Sequence, residues 1–274
     1  MKTLTKNYLF YLFFFLFSSS LLAQDFQGKA YYYAKSTMEL GSWGARLSEA
    51  QKKQVAARLK NRLEKKYVLT FDKVSSTFKE DEKLDVDVLS GATDTWGKNF
   101  APGEQYKNVK TQELVQQQEF YGKNFLVKDK LLPIAWKMGA ETKQIGGYTC
   151  YKATATIPTA DLTWYDFSWG ELRAANNSDK PEEVPMTEVI AWYTLNIPVS
   201  LGPSEYWGLP GLILEVNVDN TTMLCFKIVM NPEEKSKIEA PDRGKEVTKK
   251  EYKEIITGKM QEMRNNRGRR RPGS

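Results

Sequence analysis

Between Ile197 and Leu212 the chain places three prolines (Pro198, Pro203, Pro210) and three glycines (Gly202, Gly208, Gly211). Each proline removes a backbone donor, and each glycine admits turns closed to other residues, so this stretch cannot be a central strand. It has to be a rigid loop that feeds the apolar run Leu212-Ile213-Leu214. Whatever the chain folds into must present two strands to this stiff connection and give its Tyr206, Trp207 and Leu209 somewhere to go.

The remainder is a succession of short β-rich runs cut by turn signals. Residues 26–38 read as a first strand, and 67–78 as two strands about a tight turn near Asp72-Lys73. Residues 80–104 read as a loop, and strands are expected near 106–111, 114–121 and 124–129. A segment about 134–136 leads to 141–144, and 145–157 opens on a Gly146-Gly147 turn. Residues 158–185, rich in Trp, Asp, Asn and Ser, are expected to form a surface insertion ending by about residue 187. Strands return at 188–194, 212–218 and 222–230, the last two joined by Asp219-Asn220-Thr221.

Two helices stand out. Ser48 and Gln51 make a capping box at the start of a helix over 47–65, with Val55, Leu59 and Leu63 at four-residue spacing. Thr248 and Glu251 make another, opening a helix that carries Tyr252, Ile255, Ile256, Met260 and Met263 on one face. About ten strands linked by short turns, instead of alternating with helices, imply antiparallel pairing. The expected class is α+β, mainly antiparallel β: a curved open sheet or half-barrel with two amphipathic helices.

Residues 1–23 begin with Lys2 and Lys6, run through an apolar stretch over 8–17 and leave through Ser18, Ser19 and Ser20. That is the layout of a secretory signal peptide, and its apolar run is too short for a bilayer span of about twenty residues. Cleavage after Ala23 would leave Gln24 and not a cysteine, so the mature chain is expected to be soluble and not a lipoprotein, in the periplasm or at the cell surface. One domain over 24–263, followed by a basic disordered tail over 264–274, is the expected organisation. The net charge of +6 belongs mostly to the two ends: setting aside Lys2, Lys6 and the arginines at 264, 267, 269, 270 and 271 leaves 33 basic against 34 acidic residues. A domain so balanced carries no electrostatic footprint for nucleic acid. The arginine tail reads as a solvated end, or as a contact for the phosphates of anionic lipid or lipopolysaccharide.

The run Gly208-Leu209-Pro210-Gly211-Leu212-Ile213 resembles the signature of the GLPGLI family, exported proteins of unknown function from Gram-negative bacteria. Residues 143–153, Ala191-Trp192-Tyr193, Ile197-Pro198, Gly202-Pro203 and the 67–78 segment are similar to that family as well. The resemblance implies an envelope protein with no established activity, and it supplies no catalytic residues.

The chain contains no histidine, which excludes Ser-His-Asp and Cys-His mechanisms and His-ligated zinc. P-loop and dinucleotide-binding glycine fingerprints are missing. Acid pairs such as Glu205 with Glu215, or Asp161 with Asp166, are what remains for a hydrolase or a calcium site, although acids in turns are usually just solvated. Cys150 and Cys225 are the only cysteines, and in an oxidising compartment they suit a disulfide between neighbouring strands. No catalytic residue, cofactor or metal is assigned. The reading is a non-enzymatic envelope protein that binds a small apolar or peptide ligand, or an envelope protein partner, through its sheet and proline-rich loop. A structural or assembly accessory of an outer-membrane machine is the alternative, and an acid-dependent hydrolase comes third. Candidate contacts are Tyr206 and Trp207 on the loop, Trp192 beside it, and Trp164 and Trp169 in the insertion, where Tyr165 and Phe167 complete an aromatic cluster. The competing structural reading makes the loop a corner that sets strand register and the insertion a flap packed on the sheet.

Overall fold

The computed structural model describes residues 26–37, 46–81, 102–170, 172 and 184–269. The expected signal peptide and its cleavage site lie outside these residues, as does most of the expected loop over 80–104. Twelve strands form one sheet: β1 (Gly28–Ser36), β2 (Glu64–Phe71), β3 (Ser75–Glu80), β4 (Gln105–Asn108), β5 (Glu113–Phe120), β6 (Lys123–Lys130), β7 (Lys137–Ile145), β8 (Tyr148–Pro158), β9 (Met186–Thr194), β10 (Leu212–Val218), β11 (Thr221–Met230) and β12 (Lys245–Val247). Their spatial order is β12-β6-β5-β4-β3-β2-β1-β11-β10-β9-β8-β7. Every neighbouring pair is antiparallel except β12 with β6. Among the described residues it is accompanied by the helices α1 (Glu49–Leu63), the single turn α2 (Thr159–Leu162) and α3 (Lys249–Arg269).

Local chemistry explains most of these boundaries. Asp72 Oδ1 accepts from the amides of Val74 (2.8 Å) and Ser75 (2.6 Å), closing the β2–β3 hairpin. The β7–β8 hairpin turns on Gly146 and Gly147, both at positive φ (54° and 85°), the geometry that matches strand twist in a two-residue turn. Both capping boxes form. Ser48 and Gln51 exchange bonds at the start of α1, and Thr248 and Glu251 do so before α3, at 2.7 Å and 3.2 Å. The hydrogen bonds from Thr248 also hold the Glu251 carboxyl below its usual range.

The connection between β6 and β7 dictates the curvature. The two strands stand ten spacings apart in the sheet, which laid flat is about 48 Å. The chain takes seven residue steps from Lys130 to Lys137, and such a link spans at most about 25 Å. The sheet therefore has to curl until its ends approach, and it stays open, because β12 and β7 are not paired to each other.

Three apolar clusters fill the result. Tyr32, Leu69, Phe71 and Phe78 pack with the loop residues Ile197, Val199 and Leu201 and with Leu212 and Leu214. Ala153, Ala155, Val189, Ala191 and Tyr193 pack with Tyr206, Leu209 and Ile213. Phe120, Phe125 and Val127 pack with Trp164, Phe167 and the α3 residues Tyr252, Ile256 and Met260. Successive residues of β10 thus go to different clusters, the behaviour of a strand buried on both faces. Each of these fully buried aliphatic side chains contributes about 2 kcal/mol.

The proline-rich loop is pinned from three sides. Its own backbone doubles back, Leu212 donating to the Ile197 carbonyl at 2.9 Å and Ile213 to that of Leu201 at 3.1 Å. Gly208 sits at φ +92°, open to glycine alone without strain. Gly211 has another reason: a β-carbon there would stand 2.0 Å from the Thr194 carbonyl oxygen. From β4, five spacings away from β10 in the sheet, Lys107 reaches across the inside of the curl. Its Nζ donates to the carbonyls of Gly202 (2.6 Å), Ser204 and Tyr206 (3.3 Å).

Several expectations need correction. The described residues hold twelve strands, not about ten, and a further helix, α2, opens the insertion. The segment about 134–136 is not a strand, while β7 runs the full length from Lys137 to Ile145. It is exposed along nearly all of that length, so no alternation marks it in sequence. The helix α3 continues through Arg269, so the arginine-rich stretch begins as helix and not as a disordered tail. Lys and Arg spaced along a helix that has already nucleated do not end it, because both are good helix formers. Cys150 and Cys225 lie on β8 and β11, which β9 and β10 separate, and not on neighbouring strands.

Candidate functional site

A cavity of about 750 Å³ opens between α3 and the start of the β6–β7 connection. Three stretches line it: Asp129 to Pro133, the α2 region with Ala160, Asp161 and Trp164, and α3 from Lys249 to Gln261. Leu131, Leu132, Pro133 and Trp164 supply apolar surface, and the methylene stems of Lys249, Lys250 and Lys253 add to it.

The proline-rich loop backs this cavity through Glu205. One of its oxygens, Oε1, accepts from Trp164 Nε1 at 2.5 Å and the other, Oε2, from Lys249 Nζ at 2.5 Å. Trp164 is 4% exposed, and Lys249 also lies over its ring at 5.5 Å. Asp129 Oδ2 accepts from the Lys249 amide at 3.1 Å, fixing where α3 begins. Lys253 Nζ donates to the carbonyls of Thr163 (3.3 Å) and Asp166 (2.6 Å), so it ties the insertion to the helix. One carboxylate thus joins the insertion, the loop and α3.

Beneath it lies Lys107, fully buried. Burial pulls its ammonium down to about 7, against the opposing pull of Glu205. The Tyr206 hydroxyl is pushed up, first by burial and then by Tyr165 and Glu205. Tyr165 itself is raised to about 12, again chiefly by burial.

Of the five aromatic residues expected to make contacts, Trp164 alone lines the cavity. Tyr206 is 5% exposed and belongs to the core. Trp207 is half-buried and anchored, donating to the Leu132 carbonyl at 2.7 Å while its own carbonyl accepts from Trp136 Nε1 at 2.8 Å. Trp169 packs edge-on to Phe167, with Arg264 over its ring at 5.1 Å. Trp192 carries Lys143 over its ring at 4.3 Å, and Lys143 pairs with Glu215 at 2.6 Å. The loop aromatics are therefore fasteners: Tyr206 is buried in the core, and the Trp207 indole N–H is spent on the Leu132 carbonyl. Sequence reasoning missed Glu205 as a junction, Lys107 as its support and Gly258 on the cavity wall. The signal for Gly258 was present: a glycine inside a strongly patterned helix.

Of the four acids expected to pair for catalysis, three are engaged elsewhere. Glu205 is engaged as above, and Glu215 binds Lys143 and the Asn217 amide at 2.7 Å. Asp166 accepts from the Phe167 amide at 2.7 Å, and Asp161 lines the cavity.

Both cysteines are buried thiols in the first cluster. Burial pushes Cys150 up to about 11 and Cys225 to about 12. Neither should react with a disulfide reagent such as Ellman's in the native state at mildly alkaline pH, and both should react once guanidinium unfolds the chain. A chain carrying the disulfide would release no thiol in either state.

A family model described as a protein of unknown function (Porph_ging) matches residues 136–215. That span runs from just before β7 into β10 and holds the whole proline-rich loop, a narrower region than the resemblance noted in the sequence. No curated protein matches the chain. Among solved structures it is similar to PNGF-II in two crystal forms. The C2 form is 15% identical with a TM-score of 0.47, covering 85% of this chain and 33% of that one. The P21 form is 14% identical with the same TM-score and coverage. The chain thus spans about a third of the length of PNGF-II. No helix among the described residues is long and apolar enough to cross a membrane.

Proposed function

We propose that this chain is an exported, non-enzymatic binding protein of the cell envelope, and that the cavity beside α3 holds its apolar ligand. The secretory layout of residues 1–23 and the family resemblance support the compartment. The missing histidines, and the occupied carboxylates at 205 and 215, support binding without turnover. The proline-rich loop acts from behind, as the stiff mount that carries Glu205 to Trp164 and Lys249.

Gly258 carries the reading. It lies in the interior of α3, where glycine costs about 1 kcal/mol relative to alanine. Packing does not require it there, since a β-carbon added at 258 meets no atom within 4 Å. What its missing side chain leaves is open space on the wall of the cavity. The volume, about 750 Å³, falls within the usual range for small-ligand sites.

The test uses the mature chain and the reporter dye 1-anilinonaphthalene-8-sulfonate. Gly258→Ala should raise the unfolding free energy by about 0.5–1 kcal/mol in urea titrations, from helix propensity alone. Gly258→Phe should keep the fold, checked by circular dichroism, and lose the dye that the unsubstituted chain binds at one site. Equal dye binding by both chains, or none by the unsubstituted one, would remove the cavity as the ligand site.

A further inference from the structure

We propose that Lys107 is a positioning residue for the cavity and acts on it through Glu205, so that the charge on Lys107 sets how tightly an occupant is held; this rests on the reading of the cavity as a binding site. Lys107 is fully buried and is not among the residues that line the cavity. Its ammonium gathers every second carbonyl of one short segment, those of Gly202, Ser204 and Tyr206. Glu205 stands inside that segment, between two of the three carbonyls. Its carboxylate meets Trp164 and Lys249, both on the cavity wall. Ser204 is held at a φ of +47°, a left-handed conformation that a serine adopts only at a cost. Three bonds to one nitrogen keep the segment in that shape.

An ammonium has three hydrogens for three carbonyls, whereas a neutral amine has two. Loss of the proton therefore frees one carbonyl, lets the turn at Ser204 relax, and shifts Glu205 with it. Strand β3 sets Ser76 opposite Lys107 and β5 sets Leu114 there, and neither is charged. The loop brings Glu205. Burial drives the Lys107 ammonium down to about 7, against the pull of that carboxylate. Beyond Glu205 stand Lys249 of α3 and Tyr165 of the insertion, whose hydroxyl burial raises to about 12. The chain has no histidine, the side chain that ordinarily changes charge near neutrality. A ligand that favours the clamped segment favours the ammonium, so affinity falls as pH rises through about 7 and binding takes up protons.

The distinguishing experiment titrates the mature chain calorimetrically with 1-anilinonaphthalene-8-sulfonate from about pH 6 to about pH 8.5. Affinity should fall about fivefold over that range, the worth of one hydrogen bond. Near neutrality, buffers of different ionisation enthalpy should report protons taken up on binding. Both effects should vanish in Lys107→Met, which keeps the α-amino group that also titrates here. Glu205→Gln removes the charge that holds the proton on, and should move the fall to lower pH. A level affinity with no proton uptake, the same fall in Lys107→Met, or an unmoved midpoint in Glu205→Gln would each overturn the coupling. Should Lys107→Met fail to fold, proton uptake by the unsubstituted chain decides. Dye that Gly258→Phe loses but that binds equally at every pH would sink the coupling and leave the cavity reading standing. Dye that Gly258→Phe still binds would remove both.

Discussion

Gly211→Ala is expected to destabilise the fold by about 3–5 kcal/mol, or to prevent folding outright, because the added carbon has no room that a side chain could yield. It would stand 2.0 Å from the Thr194 oxygen and 2.7 Å from the Thr194 carbonyl carbon, both backbone atoms. Thr194 pairs with Leu212 where β9 and β10 meet, so moving it shifts the register of two central strands. Gly208→Ala is the control. Its position demands a left-handed φ of +92° but leaves space around the new carbon, whose nearest neighbours are ring atoms of Trp136 at 3.8 Å and 3.9 Å. The expected loss there is about 1–2 kcal/mol. Urea unfolding of the two variants separates them, and equal losses would mean that conformation, not space, explains both glycines.

Lys107→Met should cost about 3 kcal/mol at neutral pH, since it strands the buried carbonyls of Gly202, Ser204 and Tyr206 without a donor. The cost should also depend on pH in a definite direction. In the folded chain the ammonium gives up its proton near 7, whereas its ordinary value is 10.5. Between those values the unfolded chain holds one more proton than the folded one, so the unsubstituted protein gains stability as pH rises through this window. The strain of burying the charge is fully present below about 7 and is relieved above it. The methionine variant has no such term. The stability gap between the two chains should therefore widen by about 4 kcal/mol across that window. Urea midpoints measured in pairs at each pH check this, because the titrations of Cys150, Cys225 and the buried tyrosines are common to both chains and cancel. A gap that stays constant would mean that Lys107 keeps its proton throughout.

Much of the architecture was legible in the amino-acid order. Strand β10 has the bounds that its apolar run announced, and both capping boxes mark their helices because a side chain three residues away settles an orphan amide locally. The hairpin turns at Asp72, Gly146-Gly147 and Asp219-Asn220 were readable for the same reason: each is decided by residues that touch within one turn. β7 and β12 were not legible in the same way. One is exposed along nearly all its length, and the other is three residues that become a strand only because β6 lies alongside.

The candidate site was much less accessible. Its parts come from positions near 130, 160, 205 and 250, and no periodicity links them. The aromatic residues that drew attention on the loop turned out to be anchors, because an indole on a stiff segment can equally face solvent or lock onto a nearby carbonyl. Sequence by itself determined the alternation of strands, the helix starts and the stiffness of the segment from 198 to 211, since each follows from local sterics and hydrogen bonding. Tertiary structure alone decided that the sheet must curl to satisfy a short link, that Lys107 reaches the loop carbonyls from β4 while Glu205 of the loop reaches Trp164 and Lys249, and that a cavity opens beside α3. Those are distance constraints between residues far apart in the chain, and they exist only once the sheet has closed upon its own connections.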